Sequence, residues 1–242
     1  QSTIRFAGLA AGTYSVWAVA NTDGLWGNMR ATLLSCTTSA QLQALCFTEL
    51  TGTATPTISQ DRMPLSATGT LTVNANKNGQ VNLELLRCLS KVDFSFKNET
   101  SESLTLTSCS VTLQRMNPAS AYLFAVNPDF TAAEGRDLTL SSASLSLASG
   151  ATASLSPALV FPSLAPAQTL GNRYLCDVSF SIEETPYSFT DMPVHDYRSA
   201  DILALERNQY LQITTRINNG NQVSFNFQVL DWEPKTEEVF FH

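Results

Sequence analysis

Tyr210-Leu211-Gln212-Ile213-Thr214-Thr215-Arg216-Ile217-Asn218-Asn219-Gly220-Asn221-Gln222-Val223-Ser224-Phe225-Asn226-Phe227-Gln228-Val229-Leu230-Asp231 decides the class of fold. Leu211, Ile213, Thr215 and Ile217 alternate with polar residues, and Val223, Phe225, Phe227 and Val229 do the same against Ser224, Asn226 and Gln228. A period of two puts successive side chains on opposite faces of a pleated strand, so each run is a strand with one buried face. Asn218 to Gln222 is turn chemistry between them, and residues 210–231 are expected to form a β-hairpin.

The same alternation spreads outward. Val178, Phe180 and Ile182 alternate with Asp177, Ser179 and Ser181. Tyr14 to Ala20 is apolar on both faces, which predicts a central strand of a sandwich. Within 81–96 the apolar set changes parity, from Val81, Leu83 and Leu85 to Cys88, Val92, Phe94 and Phe96. A bulge or a switch of sheets near Leu85-Leu86 accounts for that change. The Ser-rich run Leu140–Gly150 resembles a linker, but the spacing of Ala143, Leu145 and Leu147 makes it an edge strand.

Helix signals are confined to Thr38-Ser39 capping Ala40–Leu45 and to a shorter turn over Asp201–Glu206. With no strand–helix alternation, a parallel α/β fold is excluded. A dozen or more short strands exceed one seven-stranded sandwich and fit two. The fold class is therefore all-β: two tandem β-sandwich domains with one or two short helices in connections. Turn residues at Asn117-Pro118 and Asn127-Pro128-Asp129 place the boundary near Val126–Thr131, giving domains 1–127 and 128–242.

Only 14% of the 242 residues are charged, well below the usual quarter, and roughly a fifth are Ser or Thr. The net charge of -7 repels a phosphate backbone, so nucleic acid is not expected as a partner. No apolar run reaches the ~20 residues of a membrane-spanning helix. Gln1-Ser2-Thr3-Ile4-Arg5-Phe6 reads as a strand rather than a leader, and any targeting segment is expected to have been removed.

Catalytic chemistry is not evident. There are two histidines, His195 and His242, and His195 lies in a loop-like stretch with no nucleophile elbow to serve. Glu183-Glu184 and Glu237-Glu238 are adjacent, which in a strand sends them to opposite faces, so they read as solvated charge. The eleven glycines are scattered, and no cofactor is expected. The five cysteines, Cys36, Cys46, Cys88, Cys109 and Cys176, lack metal-ligand spacing, so no metal is expected either. They read as buried small hydrophobes, with a Cys88–Cys109 bridge across neighbouring strands as the sharper alternative. Trp17 and Trp232 lie in strand patterns and belong to the core, whereas Trp26 is the candidate exposed ligand aromatic. Asn98-Glu99-Thr100 matches a glycosylation sequon and, in a chain this rich in Ser and Thr, carries little weight.

Five segments carry a family resemblance. They are Leu9–Asn21 (LAAGTYSVWAVAN), Met63-Pro64-Leu65-Ser66, Arg87–Phe94 (RCLSKVDF), Glu206–Ile213 (ERNQYLQI) and Val229-Leu230-Asp231-Trp232. In this order they resemble the Bacteroidales fimbrillins, with conservative departures at Leu65, Ala67 and Ser90. The resemblance implies two transthyretin-like sandwiches, the first lacking its first strands. It also implies export to the outer-membrane surface as a lipoprotein and a structural or adhesive role in fimbriae. The partners implied are other fimbrial subunits, or a host or bacterial surface protein or glycan, with membrane contact only through a removed N-terminal lipid anchor. In polymerising relatives a protease, often Arg-specific, removes a strand, and a neighbour's strand fills the groove. In this chain Val239, Phe240 and Phe241 are the candidate donor residues, competing with a role as the closing strand of their own domain. Arg5 and Arg30 are candidate processing sites if exposed, Arg5 within an expected strand. A surface carbohydrate-binding module and a non-polymerising anchor or tip protein are the alternatives.

Overall fold

The computed structural model describes residues 3–21, 29–47, 63–75, 77–118, 121–124, 135–164, 173–196 and 198–232. In chain order come β1 (Gly12–Ala20), helices α1 (Met29–Ser35) and α2 (Ser39–Gln43), β2 (Cys46–Phe47), β3 (Leu65–Val73) and β4 (Leu86–Arg87). β5 (Ser90–Asn98), β6 (Leu104–Asn117), β7 (Ala121–Tyr122) and β8 (Arg136–Leu147) follow. Then come the short β9 (Thr152–Ser154), β10 (Ala158–Val160) and β11 (Ser163–Leu164). The chain continues with β12 (Leu175–Ile182), β13 (Thr185–Pro193), β14 (Ala204–Leu205), β15 (Gln209–Ile217) and β16 (Val223–Asp231). The fold is all-β, as the alternation requires.

The expected hairpin is present. β15 and β16 pair without a break from Gln209↔Asp231 to Ile217↔Val223, closed by a hydrogen bond from Asn218 N to Gln222 O of 2.8 Å. Gly220 (φ +76°) and Asn221 (φ +55°) supply the left-handed backbone that the turn needs. β15 also runs parallel to β5, from Tyr210↔Lys91 to Ile217↔Asn98. That sheet has the order β10-β5-β15-β16, with β9 also on β5, and a second sheet has the order β13-β12-β6-β8. Between them lies the main core, where Phe94, Phe96, Val111, Phe180 and Ile213 are wholly or almost wholly buried. Phe96 meets both Phe94 and Phe180 edge-to-face, with centroids 5.0 and 5.3 Å apart.

A smaller assembly stands beside this sandwich: the sheet β1-β3-β4, the pair β2-β7 and the two helices. Its own core is Met63, Cys88, Leu89, Ala121, Leu123, Phe161 and Trp232. α2 carries the expected cap: Thr38 is the N-cap, and its hydroxyl accepts from Gln41 N while Gln41 Oε1 accepts from Thr38 N.

Several expectations change. The parity shift in 81–96 is a switch of sheets: β4 pairs with β3, and β5 enters the sandwich after Cys88-Leu89. Among the described residues Tyr14–Ala20 pairs on one side only, with β3, and so lies at a sheet edge rather than in a central position. Its second face is covered in part by neighbours such as Phe124, which meets Trp17 edge-on at 4.8 Å. Asp201–Glu206 forms no helical turn; Asp201 bridges His195, and Ala204-Leu205 pairs with β11. Leu140–Leu147, in β8, lies at a sheet edge among the described residues, as expected. Residues 127 and 128 lie outside the described set, but a division there would cut β5 and β6 from the sheets they share with β15, β12 and β8.

Candidate functional site

The five resemblance-bearing segments meet in one place, where the small sheet joins the sandwich. Arg207, between β14 and β15, reaches into this junction. Its Nη2 lies 2.6 Å from Ser66 Oγ, 3.1 Å from Ser66 O and 3.0 Å from Leu86 O. Nη1 donates to Leu123 O at 3.4 Å, and Cys88 Sγ is 3.4 Å from Nη2. Carbonyls and a hydroxyl therefore receive the guanidinium, whose planar fork reaches several acceptors at once. Burial raises the Cys88 thiol pKa, with the Arg207 charge and the Ser66 hydroxyl opposing in part.

Arg87 performs the reciprocal task. Its Nη1 donates to Asn208 Oδ1 at 2.8 Å and to Trp232 O at 3.2 Å, and its guanidinium lies 4.7 Å from the Trp232 ring centroid. Lys91 Nζ flanks Tyr210 and Trp232 at 5.3 and 5.6 Å and pairs with Asp93 at 2.6 Å. The backbone completes the knot: Cys88 N to Pro64 O, Asn208 N to Leu89 O and Trp232 N to Asn208 O. Asn21 Nδ2 donates to Met63 O at 2.8 Å, which brings in the segment that ends β1. The segments are short because each supplies one polar tie to a shared junction. Sequence inspection finds the segments but not their meeting, which is a property of long-range pairing.

The second feature is the edge of β1. Its nine residues contain no charge and no proline, and among the described residues β3 is the one strand paired with it. Val16, Trp17, Ala18 and Val19 are half-buried. Just upstream, the irregular segment before β1 exposes Ile4 (70%) and Phe6 (69%). An unpaired strand edge with apolar flanks is a template for another strand.

The other candidates fall out as follows. Trp26 and Val239, Phe240 and Phe241 lie outside the described residues. Trp232 is buried, as expected, and Trp17 half-buried. Arg5 is exposed in irregular chain rather than in a strand, and Arg30 is exposed on α1. All five cysteines are free, and Cys88 and Cys109 belong to different cores, so they form no bridge. Cys36 is half-buried and Cys46 exposed, unlike the other three. His195 stacks edge-on against Phe227 at 5.8 Å, with Nδ1 3.0 Å from Asp196 O. Glu183-Glu184 are not in a strand; they form the exposed two-residue turn between β12 and β13. Asn98 is fully buried, donating to Glu102 O, Leu147 O and Ala148 O, so the sequon is a structural turn. Among the described residues no group of three or more His, Cys, Asp or Glu side chains is placed to hold a metal ion. A cleft of about 380 Å³ is open and lined by residues such as Asp196, Leu203, Glu206 and Gln228.

The family model for fimbrillin-A associated anchor proteins Mfa1 and Mfa2 matches residues 3–238. The chain belongs to this family. Three solved structures share the fold of this fimbrillin-family chain. One is a candidate cell adhesion protein from Parabacteroides distasonis, 11% identical with a TM-score of 0.61, covering 95% of this chain and 78% of that one. The tip fimbrial protein Mfa3 from Porphyromonas gingivalis, with a C-terminal truncation, is 13% identical with a TM-score of 0.56, covering 93% and 82%. A candidate cell adhesion protein from Bacteroides eggerthii is 14% identical with a TM-score of 0.54, covering 90% and 78%. No curated protein matches at the level of sequence. As a family member the chain is a fimbrillin-associated fimbrial protein, and so belongs to a cell-surface appendage.

Proposed function

We propose that the chain is a structural and adhesive fimbrial subunit that accepts a neighbour's strand along the open edge of β1, without catalysis. The observation that supports this most is the edge itself: nine residues, uncharged, proline-free, half-buried over Val16–Val19 and, among the described residues, paired on one side. An incoming extended segment gains main-chain hydrogen bonds along β1 and places alternate apolar side chains against the same slot. Its donor is the tail of a neighbour, through Val239, Phe240 and Phe241. The protein is held at the outer-membrane surface through an N-terminal lipid, and its other partners are fimbrial subunits. The chain is read as two units, the main sandwich and the smaller assembly, to which β7, Phe161 and Trp232 return after the change of sheet at Cys88-Leu89.

The test is a thermal melt with a synthetic peptide of residues 236–241. A ligand of the native state alone stabilises it by about 2.7 kcal/mol at ~100-fold excess over Kd. A rise in Tm that Val16→Lys removes supports strand acceptance. No rise at millimolar peptide, with the protein folded, refutes it. The family's description favours a second reading, a non-polymerising anchor whose β1 edge takes a strand once, from a shaft subunit. Heterologous subunit peptides then raise Tm while the chain's own tail does not.

A further inference from the structure

Val81, Leu83 and Leu85 alternate as the residues of a strand do, yet 78–85 belong to no strand. They run back alongside β3. β4 pairs Leu86↔Ser66 and Arg87↔Leu65, and the same antiparallel register, continued, sets Leu83 against Gly69, Val81 against Leu71 and Gly79 against Val73. The close approaches agree with that register at Gly69 and fall one residue from it at Gly79. A Cβ placed on Gly69 would lie 2.5 Å from Leu83 Cδ2 and 3.2 Å from Val81 Cγ2, and one on Gly79 would lie 2.5 Å from Thr72 O. The faces match as well. Val81 and Leu83 are half-buried over Gly69, while Gln80, Asn82 and Glu84 are exposed, as are Thr68, Thr70 and Thr72. What is missing is the ladder: among the described residues no backbone hydrogen bond joins 79–85 to β3.

We propose that Gly79–Leu85 is a latent extension of β4, which closes its ladder on β3 when a strand is added along β1. The inference rests on strand acceptance by β1 and says what that event does on the far side of the same sheet. From Ala67 to Val73 the described ladder has two strands, β1 and β3. A two-stranded ribbon twists more strongly than a wider sheet. That twist carries the outer edge of β3 away from a segment anchored to it only at Leu86-Arg87. A strand on β1 widens the ribbon, lowers its twist and returns the edge to within hydrogen-bonding reach of 79–85. No side chain changes face in the closure, because register and faces are already set, and only backbone bonds form. The coupling is reciprocal: a closed ladder tightens the hold on the donor by the factor with which the donor favours closure.

Amide hydrogen exchange of the full chain, free and with saturating peptide of residues 236–241, tests the proposal, with binding read separately as a rise in Tm. In the free chain the amides of 80–84 exchange fast, and bound peptide slows them roughly tenfold or more, beyond any slowing of the β5 and β15 amides. If Tm rises and 80–84 stay fast, strand acceptance stands and the proposal is overturned. The double variant Asn82→Val with Glu84→Thr supplies an arm without ligand, since it places β-branched residues at exposed positions that face the threonines of β3. Its 80–84 amides are expected to be protected without peptide, and it binds the peptide several-fold more tightly than wild type. An unprotected variant overturns the proposal even where the peptide binds. If the peptide raises no Tm, strand acceptance fails; protection in the variant then supports the latent strand by itself, and its absence overturns both.

Discussion

Tyr174 and Cys176 are buried acids whose neutral forms the fold prefers. Burial pushes the Tyr174 phenol up to about 12, its hydrogen bonds opposing in part, and pushes the Cys176 thiol up to about 12 with help from the Asp177 charge. Each group binds its proton more tightly folded than unfolded, so stability is intact below the ordinary values of 9.0 and 10.0. It is lost progressively as pH rises from there to about 12. The expected result is a Tm that declines above pH 9, less steeply in Cys176→Ala; a profile identical to wild type counts against the thiol's part. Thr215 offers the opposite kind of test. Its Oγ1 is fully buried on β15 and finds no hydrogen-bond partner among the described residues. Replacing an unsatisfied hydroxyl with a methyl of similar shape removes a desolvation cost, so Thr215→Val is expected to stabilise by about 1 kcal/mol in urea unfolding. Neither site is visible in the sequence, because alternation shows that position 215 faces inward but not whether its hydroxyl is answered.

At the scale of elements, two hairpins show why one turn is legible and the other is not. Asn218–Gln222 contains an Asn-Gly pair whose backbone preference is itself a turn signal. Glu183-Glu184 turns just as tightly, with φ of +48° and +68°, yet neither residue favours that region. The turn is imposed by its strands: β12 and β13 pair from Ile182↔Thr185 through Phe180↔Tyr187, where the two rings stack at 5.3 Å. The sequence therefore reads as two adjacent carboxylates on a continuous strand. Giving this turn Asn-Gly chemistry, through Glu183→Asn combined with Glu184→Gly, relieves both left-handed residues and a like-charge contact. A gain of about 1–2 kcal/mol in chemical denaturation is expected, and a loss would mean that the glutamates make contacts of their own. A similar blindness affects β1. An apolar run with no polar face looks central, and only the pairing shows that among the described residues β3 is its one neighbour.

At the scale of the whole molecule, the question is what keeps the small sheet on the sandwich. Among the described residues its core has seven buried residues, against twenty-five in the main core. So small an apolar unit is marginal alone. Its attachment runs through Arg207, which ties Ser66 on β3, Leu86 on β4 and Leu123 to the segment entering β15. Sequence patterning reports the strands on either side of this tie but not the tie, since its partners are backbone carbonyls that every residue possesses. Arg207→Met strands those carbonyls without their donor. It is expected to cost about 2–3 kcal/mol and, more tellingly, to uncouple the two parts. In hydrogen exchange, the β1 and β3 amides then lose protection well before those of β5 and β15, whereas in the wild type the sheets open together. If all four strands open together in Arg207→Met, the junction is not what couples them. Arg207→Lys separates charge from shape: an ammonium restores the positive charge but cannot reach several carbonyls in one plane, so it should rescue little. A strand bound along β1 adds apolar contacts to the small core, and should restore in Arg207→Met the β1 and β3 protection that the substitution removes. That result would join the stability of the fold to its assembly through one side chain.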